Sequence, residues 1–179
     1  MGKQLTGSRL GILGMGRIGR AVADRARSFG MKIHYYNRSK LEKNLEKDAI
    51  YHESLKSLLS VSDFFSINCP ATKETKNIIN EETLKCFPDG AVISNSARGD
   101  MIDDNAMVKA LKTGKIFSLG IDVYNGEPDI HPEYLTLPNV FVLPHLGSST
   151  IKTRTAMANL AIINIEEFFK TGECKNKVN

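Results

Sequence analysis

The stretch Arg9-Leu10-Gly11-Ile12-Leu13-Gly14-Met15-Gly16-Arg17-Ile18-Gly19 decides the fold. Its first five residues read as a short apolar strand. Over residues 17–29, apolar side chains at Ile18, Ala21, Val22, Ala26 and Phe29 recur at helical spacing, and Gly30 follows as a stop. Between strand and helix lies a G-x-G-x-x-G run, which carries weight only in this setting. Gly14 permits a tight turn, Gly16 lets a pyrophosphate approach the backbone, and Gly19 lets the helix lie close to the sheet. The first helical turn, with Arg17 and Ile18, then offers free N–H groups and the positive end of the helix dipole to phosphate oxygens. A glycine-rich turn without a ligand is the plain alternative; the strand–turn–helix setting argues for a dinucleotide.

The same alternation continues along the chain. Residues 32–36 read as a second strand, Tyr51 lies near a short third, and residues 63–68 read as a fourth, stopped by Pro70. Residues 91–94, 116–122 and 140–143 supply the remaining strands. Helices are expected over 55–60, 81–87 (ended by Pro88), 103–112 with Asp103 as N-cap, and 149–170 with Gly172 near the stop. Near-continuous apolar strands alternating with helices imply a parallel sheet covered on both faces. Right-handed crossovers make this a doubly wound, Rossmann-type α/β fold. No internal repeat or linker appears, so residues 1–179 read as one dinucleotide-binding domain.

The tip of the second strand bears on which dinucleotide. An acidic residue there accepts hydrogen bonds from ribose hydroxyls and repels a 2′-phosphate. Here the tip is Tyr36-Asn37-Arg38-Ser39-Lys40. Asn37 is neutral, Arg38 offers a planar fork suited to phosphate, and Ser39 and Lys40 add donors. NADP is therefore the favoured cofactor, with NAD the alternative.

Composition narrows the remaining classes. Of the 179 residues, 41% are hydrophobic and 25% charged, ordinary values for a soluble globular protein. No apolar run approaches the roughly 20 residues needed to span a bilayer. The opening Met1-Gly2-Lys3-Gln4-Leu5-Thr6-Gly7 lacks the apolar core of a signal peptide. Cys69, Cys86 and Cys174 are odd in number and widely spaced, giving neither a disulfide framework nor a zinc pattern. A reducing cytoplasm and no metal are expected. The net charge of +4 reads as solubility, and no basic run is dense enough to suggest a nucleic-acid partner.

Three further segments follow successive strands: Asn95-Ser96-Ala97-Arg98-Gly99-Asp100, Gly120-Ile121-Asp122-Val123-Tyr124-Asn125-Gly126-Glu127-Pro128, and Pro144-His145-Leu146-Gly147-Ser148-Ser149. In a doubly wound sheet the carboxyl ends of the strands line the ligand crevice, so all three are expected to face the cofactor. Together with the glycine turn they resemble the D-isomer-specific 2-hydroxyacid dehydrogenases, close to glyoxylate/hydroxypyruvate reductases, over essentially the whole chain. The resemblance implies that Arg98 binds the substrate carboxylate and carbonyl, that His145 is the acid/base, and that Glu127 is its partner. It also implies that Asp122 meets the nicotinamide end, and that Cys69, Pro70, Thr75, Ser96 and Ala97 lie along the cofactor; Gly147 and Ser148 complete the expected set. The chemistry agrees with those roles. Reduction of a 2-keto acid places a hydride on carbon and a proton on oxygen. Histidine is a natural proton donor near neutrality, a paired glutamate favours its imidazolium, and an arginine holds a carboxylate bidentately. Singly, each residue has an ordinary loop reading. His34, His52 and His131 lack such a setting and read as structural or exposed.

The resemblance implies a further stretch ahead of the first strand, forming most of a substrate domain and a homodimer arm. The closing helix at 149–170 and the tail at 171–179 are expected to pack toward that domain, and this chain alone is expected to have little activity. The expected substrate is a small 2-keto or 2-hydroxy acid anion, most simply glyoxylate or hydroxypyruvate. Alternatives are an NAD-dependent phosphoglycerate or D-lactate dehydrogenase, and a non-catalytic dinucleotide-sensing module like the corepressors sharing this fold. Glu127 argues against a formate dehydrogenase, where glutamine is expected.

Overall fold

A computed structural model describes residues 2–177; Met1, Val178 and Asn179, including the end of the expected tail, lie outside the described residues. The chain divides into two units, Met1–Pro144 and His145–Asn179.

The first unit is a seven-stranded sheet in the order β3-β2-β1-β4-β5-β6-β7. Its strands are β1 (Arg9–Leu13), β2 (Lys32–Tyr36), β3 (Ile50–Tyr51), β4 (Phe64–Ile67), β5 (Ala91–Asn95), β6 (Ile116–Ile121) and β7 (Val140–Val142). Every pairing is parallel. The expected doubly wound sheet is therefore the observed one. Side chains alternate across a strand, and the sheet feeds two buried clusters. Leu10, Ile12, Ile33 and Tyr35 join Ala23 and Ala26 of α1 (Arg17–Ser28) in one. Leu13, Phe65, Ile67, Ile93, Ile116 and Leu119 join Leu58 and Leu59 of α3 (Leu55–Val61) and Met107 and Leu111 of α5 (Asp104–Lys112) in the other.

Helix ends follow capping chemistry more closely than apolar periodicity. Asp103 caps α5 as expected, accepting from the Ala106 N–H at 3.1 Å. Asn80 and Thr83 form a capping box at α4 (Glu81–Lys85), and this helix is shorter than its apolar pattern suggests. A four-residue helix, α2 (Lys43–Glu46), has no periodicity to announce it. Neither do the 3-10 turns at Gly99–Met101 and Pro132–Leu135. At the amino ends of β1 and β4, Arg9 grips Asp63 through Nε at 2.9 Å and Nη2 at 2.8 Å, which holds the Asp63 carboxyl below its ordinary range. His34 is buried, with its Nδ1 at 2.9 Å from His52 Nε2, in agreement with a structural reading of both.

The second unit is a loop followed by α6 (Ile151–Thr171). Thr150 caps it from the Thr153 N–H at 3.1 Å, two residues later than the expected start, and Gly172 ends it in the left-handed region at φ 77°. No residue of α6 is buried, and Ile162, Ile163, Ile165 and Phe168 are each more than half exposed. Among the described residues, no helix is long and apolar enough to cross a membrane.

Candidate cofactor and active site

The strand order reverses between β1 and β4. In open parallel sheets, ligands bind outside the carboxyl ends of the strands at such a switch point. There the first unit holds a cleft of about 500 Å³. It is lined by the turn after β1 (Leu13, Gly14, Met15, Gly16), the tip of β2 (Tyr36, Asn37, Arg38, Ser39, Leu41) and the segment after β4 (Asn68, Cys69, Pro70, Thr72, Glu74, Thr75, Ile78).

The three glycines of the turn have distinct physical reasons. Gly14 has φ 92°, and a Cβ on it would stand 2.5 Å from the Cys69 nitrogen. A Cβ on the buried Gly19 would overlap the Gly14 carbonyl oxygen, so its absence lets α1 lie against the turn. Gly16 differs from both: among the described residues, nothing beyond its own chain neighbours lies within 4 Å of where its Cβ would be. It is the N-cap of α1, contributes no side-chain cap, and no acidic residue stands in the first turn. The helix thus opens with free N–H groups facing open space, which suits an anionic phosphate. On the same lining, Asn68 donates to Ser66 Oγ at 3.0 Å while its own Oδ1 is buried without a hydrogen-bond partner among the described residues. An open cradle at a helix N-terminus and an unsatisfied acceptor on the same cleft fit a dinucleotide.

Of the residues singled out from the sequence, Gly14, Gly16, Asn37, Arg38, Ser39, Cys69, Pro70 and Thr75 line this cleft. Arg17 and Ile18 are exposed at the start of α1. Lys40 is drawn aside to Glu46, 3.8 Å away. Thr75 spends its hydroxyl on its own loop, accepting from the Thr72 N–H at 2.7 Å and donating to the Pro70 carbonyl at 2.9 Å. Cys69 sits 3.7 Å from the Met101 sulfur, and burial pushes its thiol up, so it is a neutral wall rather than a nucleophile. Glu74, Asn68 and Thr72 are lining residues the motifs did not reveal. Their only signal was position, just past the β4 strand. The Thr72 hydroxyl, and more weakly the Arg38 charge, hold the Glu74 carboxyl below its ordinary range.

Further along the same sheet edge, the loops after β5 and β6 meet. The nearly fully buried Asn95 clasps its own loop: Oδ1 accepts from the Ala97 N–H at 3.0 Å and Nδ2 donates to the Arg98 carbonyl at 2.7 Å. Ser96 and the Arg98 side chain are exposed, and Arg98 Nη1 donates to the Ala97 carbonyl at 2.6 Å. A Cβ on Gly99 would overlap the Tyr124 carbonyl, so the Arg98 loop backs directly onto the loop that carries Glu127. Glu127 Oε1 accepts from the Tyr124 N–H at 3.0 Å, and Asp122 is buried just beyond β6. The Tyr124 hydroxyl donates to the Leu143 carbonyl at the end of β7.

His145, Gly147 and Ser148 belong to the second unit. His145 has φ 55°, a left-handed conformation that costs a non-glycine residue about 1–2 kcal/mol. Such strain concentrates at functional positions.

The family model for "D-isomer specific 2-hydroxyacid dehydrogenase, NAD binding domain" matches residues 1–147. The chain belongs to this family. A glycerate dehydrogenase from Hyphomicrobium methylovorum is 43% identical over 171 residues, covering 94% of this chain and 53% of that one. The structure of a glyoxylate reductase from Paecilomyes thermophila superposes with a TM-score of 0.95 at 46% identity, over 99% of this chain and 54% of that one. An NADPH-dependent glyoxylate/hydroxypyruvate reductase from Sinorhizobium meliloti, in complex with NADP and malonate, gives 0.90 at 35% identity, over 94% and 52%. This dehydrogenase-family chain thus spans about half the length of each.

Proposed function

We propose that the chain is the cofactor-binding part of an NADPH-preferring reductase of small 2-keto acids, of the glyoxylate or hydroxypyruvate class. The observation that carries the cofactor reading is the cleft: an open phosphate cradle at Gly16 and, at the β2 tip, Arg38 and Ser39 in the lining with no carboxylate at position 37. The substrate class is supported by the names of the relatives, a glyoxylate reductase and a glycerate dehydrogenase among them.

In this reading the N–H groups at the start of α1 hold the pyrophosphate, and Arg38 pairs with the 2′-phosphate through charge-assisted hydrogen bonds. The bound cofactor supplies the hydride. Arg98 holds the substrate carboxylate and polarises the carbonyl, His145 delivers the proton to the carbonyl oxygen, and Glu127 supports the imidazolium form. Cys69, Pro70, Thr75, Ser96, Ala97 and Asp122 flank the cofactor, with Gly147 and Ser148 beside the histidine. The exposed apolar face of α6 packs toward the substrate domain of the longer protein, a homodimer. The 179-residue chain by itself binds cofactor and turns over slowly, because positioning of substrate against nicotinamide is worth about 7–11 kcal/mol of barrier and needs that domain.

One observation favours an NAD-dependent second reading. Glu74, an anionic side chain on the same lining, opposes a 2′-phosphate. Fluorescence titration with NADPH and NADH separates the two. NADPH is expected to bind more tightly, and Arg38→Ala to weaken it by roughly ten- to hundredfold, the worth of hydrogen bonds to a charged group. Equal affinities in the parent chain overturn the NADPH reading.

A further inference from the structure

We propose that the buried Tyr35–Glu46 pair is a positioning device for the cofactor-selecting loop, residues 37–41, and through that loop sets the preference for a 2′-phosphate over free ribose hydroxyls. The second half of this statement rests on the cofactor reading above.

The loop is held at both ends. At its start, Asn37 Oδ1 accepts from the Met15 N–H at 2.7 Å. At its end, the Leu41 N–H donates to the Tyr35 hydroxyl at 3.1 Å. That hydroxyl in turn donates to Glu46 Oε1 at 2.7 Å. Tyr35 is fully buried in β2 and Glu46 nearly so in α2. A phenol and a carboxylate removed from water cost free energy unless they are satisfied. Here the phenol uses its donor and an acceptor site, and both contacts serve the loop. Burial, reinforced by the Glu46 carboxylate, pushes the phenol up to about 12, so it remains a donor throughout the physiological range.

Glu46 is itself anchored from the far side. Arg27 of α1 donates Nη2 to the Glu46 carbonyl at 3.4 Å and Nε to Asp48 at 2.5 Å. The other Glu46 oxygen, Oε2, takes the Lys40 ammonium at 3.8 Å, and Lys40 Nζ stands 5.9 Å over the ring of Tyr51. Lys40 is thereby turned away from the cleft lining, while Arg38 and Ser39, between the two pins, remain on it. The loop's ordering is completed on folding, so phosphate binding at Arg38 does not bear that entropy. Glu46 plays two parts with opposite sign. Its oxygen fixes the phenol, and its charge offsets the positive field of the loop.

The test uses the 179-residue chain and three variants, with thermal unfolding confirming that each folds. Trypsin cleavage after Arg38 and Lys40, followed by mass spectrometry without cofactor, reads the order of the loop. Titrations with NADPH and NADH read selectivity. Tyr35→Phe is expected to speed cleavage at both bonds and to weaken NADPH by about three- to tenfold, the worth of a hydrogen bond, with little change for NADH. Glu46→Leu, which strands the phenol, should repeat that pattern should Tyr35→Phe fold poorly. Glu46→Gln keeps an acceptor and removes the charge, so the loop stays protected and NADPH binds as well as or better than in the parent. Unchanged cleavage in Tyr35→Phe overturns the positioning role, and equal losses for both cofactors overturn the role in selection. A parent chain that binds NADPH and NADH equally refutes the cofactor reading instead, and the cleavage rates still decide whether Tyr35 orders the loop.

Discussion

The side-chain oxygen of Asn37 accepts a hydrogen bond from the backbone N–H of Met15 at 2.7 Å, joining the tip of β2 to the glycine turn after β1. One residue therefore ties together the glycine turn and the β2 tip, two walls of the same cleft. Asn37→Asp keeps the acceptor and adds a charge, so NADPH should weaken while NADH holds or improves. Asn37→Leu removes the acceptor, so both cofactors should weaken together, by about three- to tenfold. Paired titrations on each variant check the split; parallel losses in both variants contradict it.

Gly14 and Gly16 look alike in the motif, and the structure separates them. Gly14→Ala forces a left-handed φ and sets a methyl group 2.5 Å from the Cys69 nitrogen, so the fold should lose at least about 1–2 kcal/mol. Gly16→Ala meets nothing within 4 Å among the described residues beyond its own chain neighbours, so urea unfolding should stay near that of the parent while dinucleotide affinity falls. Loss of stability in Gly16→Ala, or normal stability in Gly14→Ala, contradicts the assignment.

The His34–His52 pair makes the sheet sensitive to mild acid. Burial lowers His34, with the charges of His52, Arg9 and Lys32 adding to it and Asp63 opposing; burial lowers His52. A histidine lowered in the folded state binds fewer protons there than in the unfolded chain. Its contribution is complete above the unfolded value, about 6.5, and is lost as pH falls from there through the folded value. Stability should drop between pH 7.5 and 5.5. His52→Gln, which cannot take up a proton, should flatten that slope. Urea midpoints at the two pH values decide it, and parallel lines for parent and variant reject the pair as the cause.

Asn95 supports the Arg98 loop by two hydrogen bonds from a nearly fully buried side chain. Asn95→Ala leaves the Ala97 N–H and the Arg98 carbonyl without those partners, at a cost of about 1–3 kcal/mol. NADPH affinity should fall as well, since the clasp orders the Ser96–Ala97 segment that flanks the cofactor in the proposed reading. Denaturant unfolding measures the first expectation and NADPH titration the second.

Much of the architecture was legible in the chain because it is written in local patterns. Apolar strands, helical spacing over 17–29 and the glycines at 14, 16 and 19 specify strand, turn and helix within a few residues of one another. Seven such strands in alternation with helices leave few topologies, and the observed parallel order is the doubly wound one. Arg98, Glu127 and His145 stand out in the sequence as motif residues after strands, and the fold sets the Arg98 loop directly against the loop of Glu127. What only the tertiary structure decided are contacts between segments distant in sequence. The clasp of Asn37 on Met15 spans 22 residues and depends on β1 and β2 lying side by side in register. Nothing in the local sequence singles out Glu46, since a four-residue helix has no period; the packing of α2 buries it against Tyr35. Gly99 gave no sign that Tyr124 would stand where its side chain would be. Local patterns encode backbone conformation and the buried face, while the pairing of polar groups across the fold follows from strand register and close packing, which no short window of sequence contains.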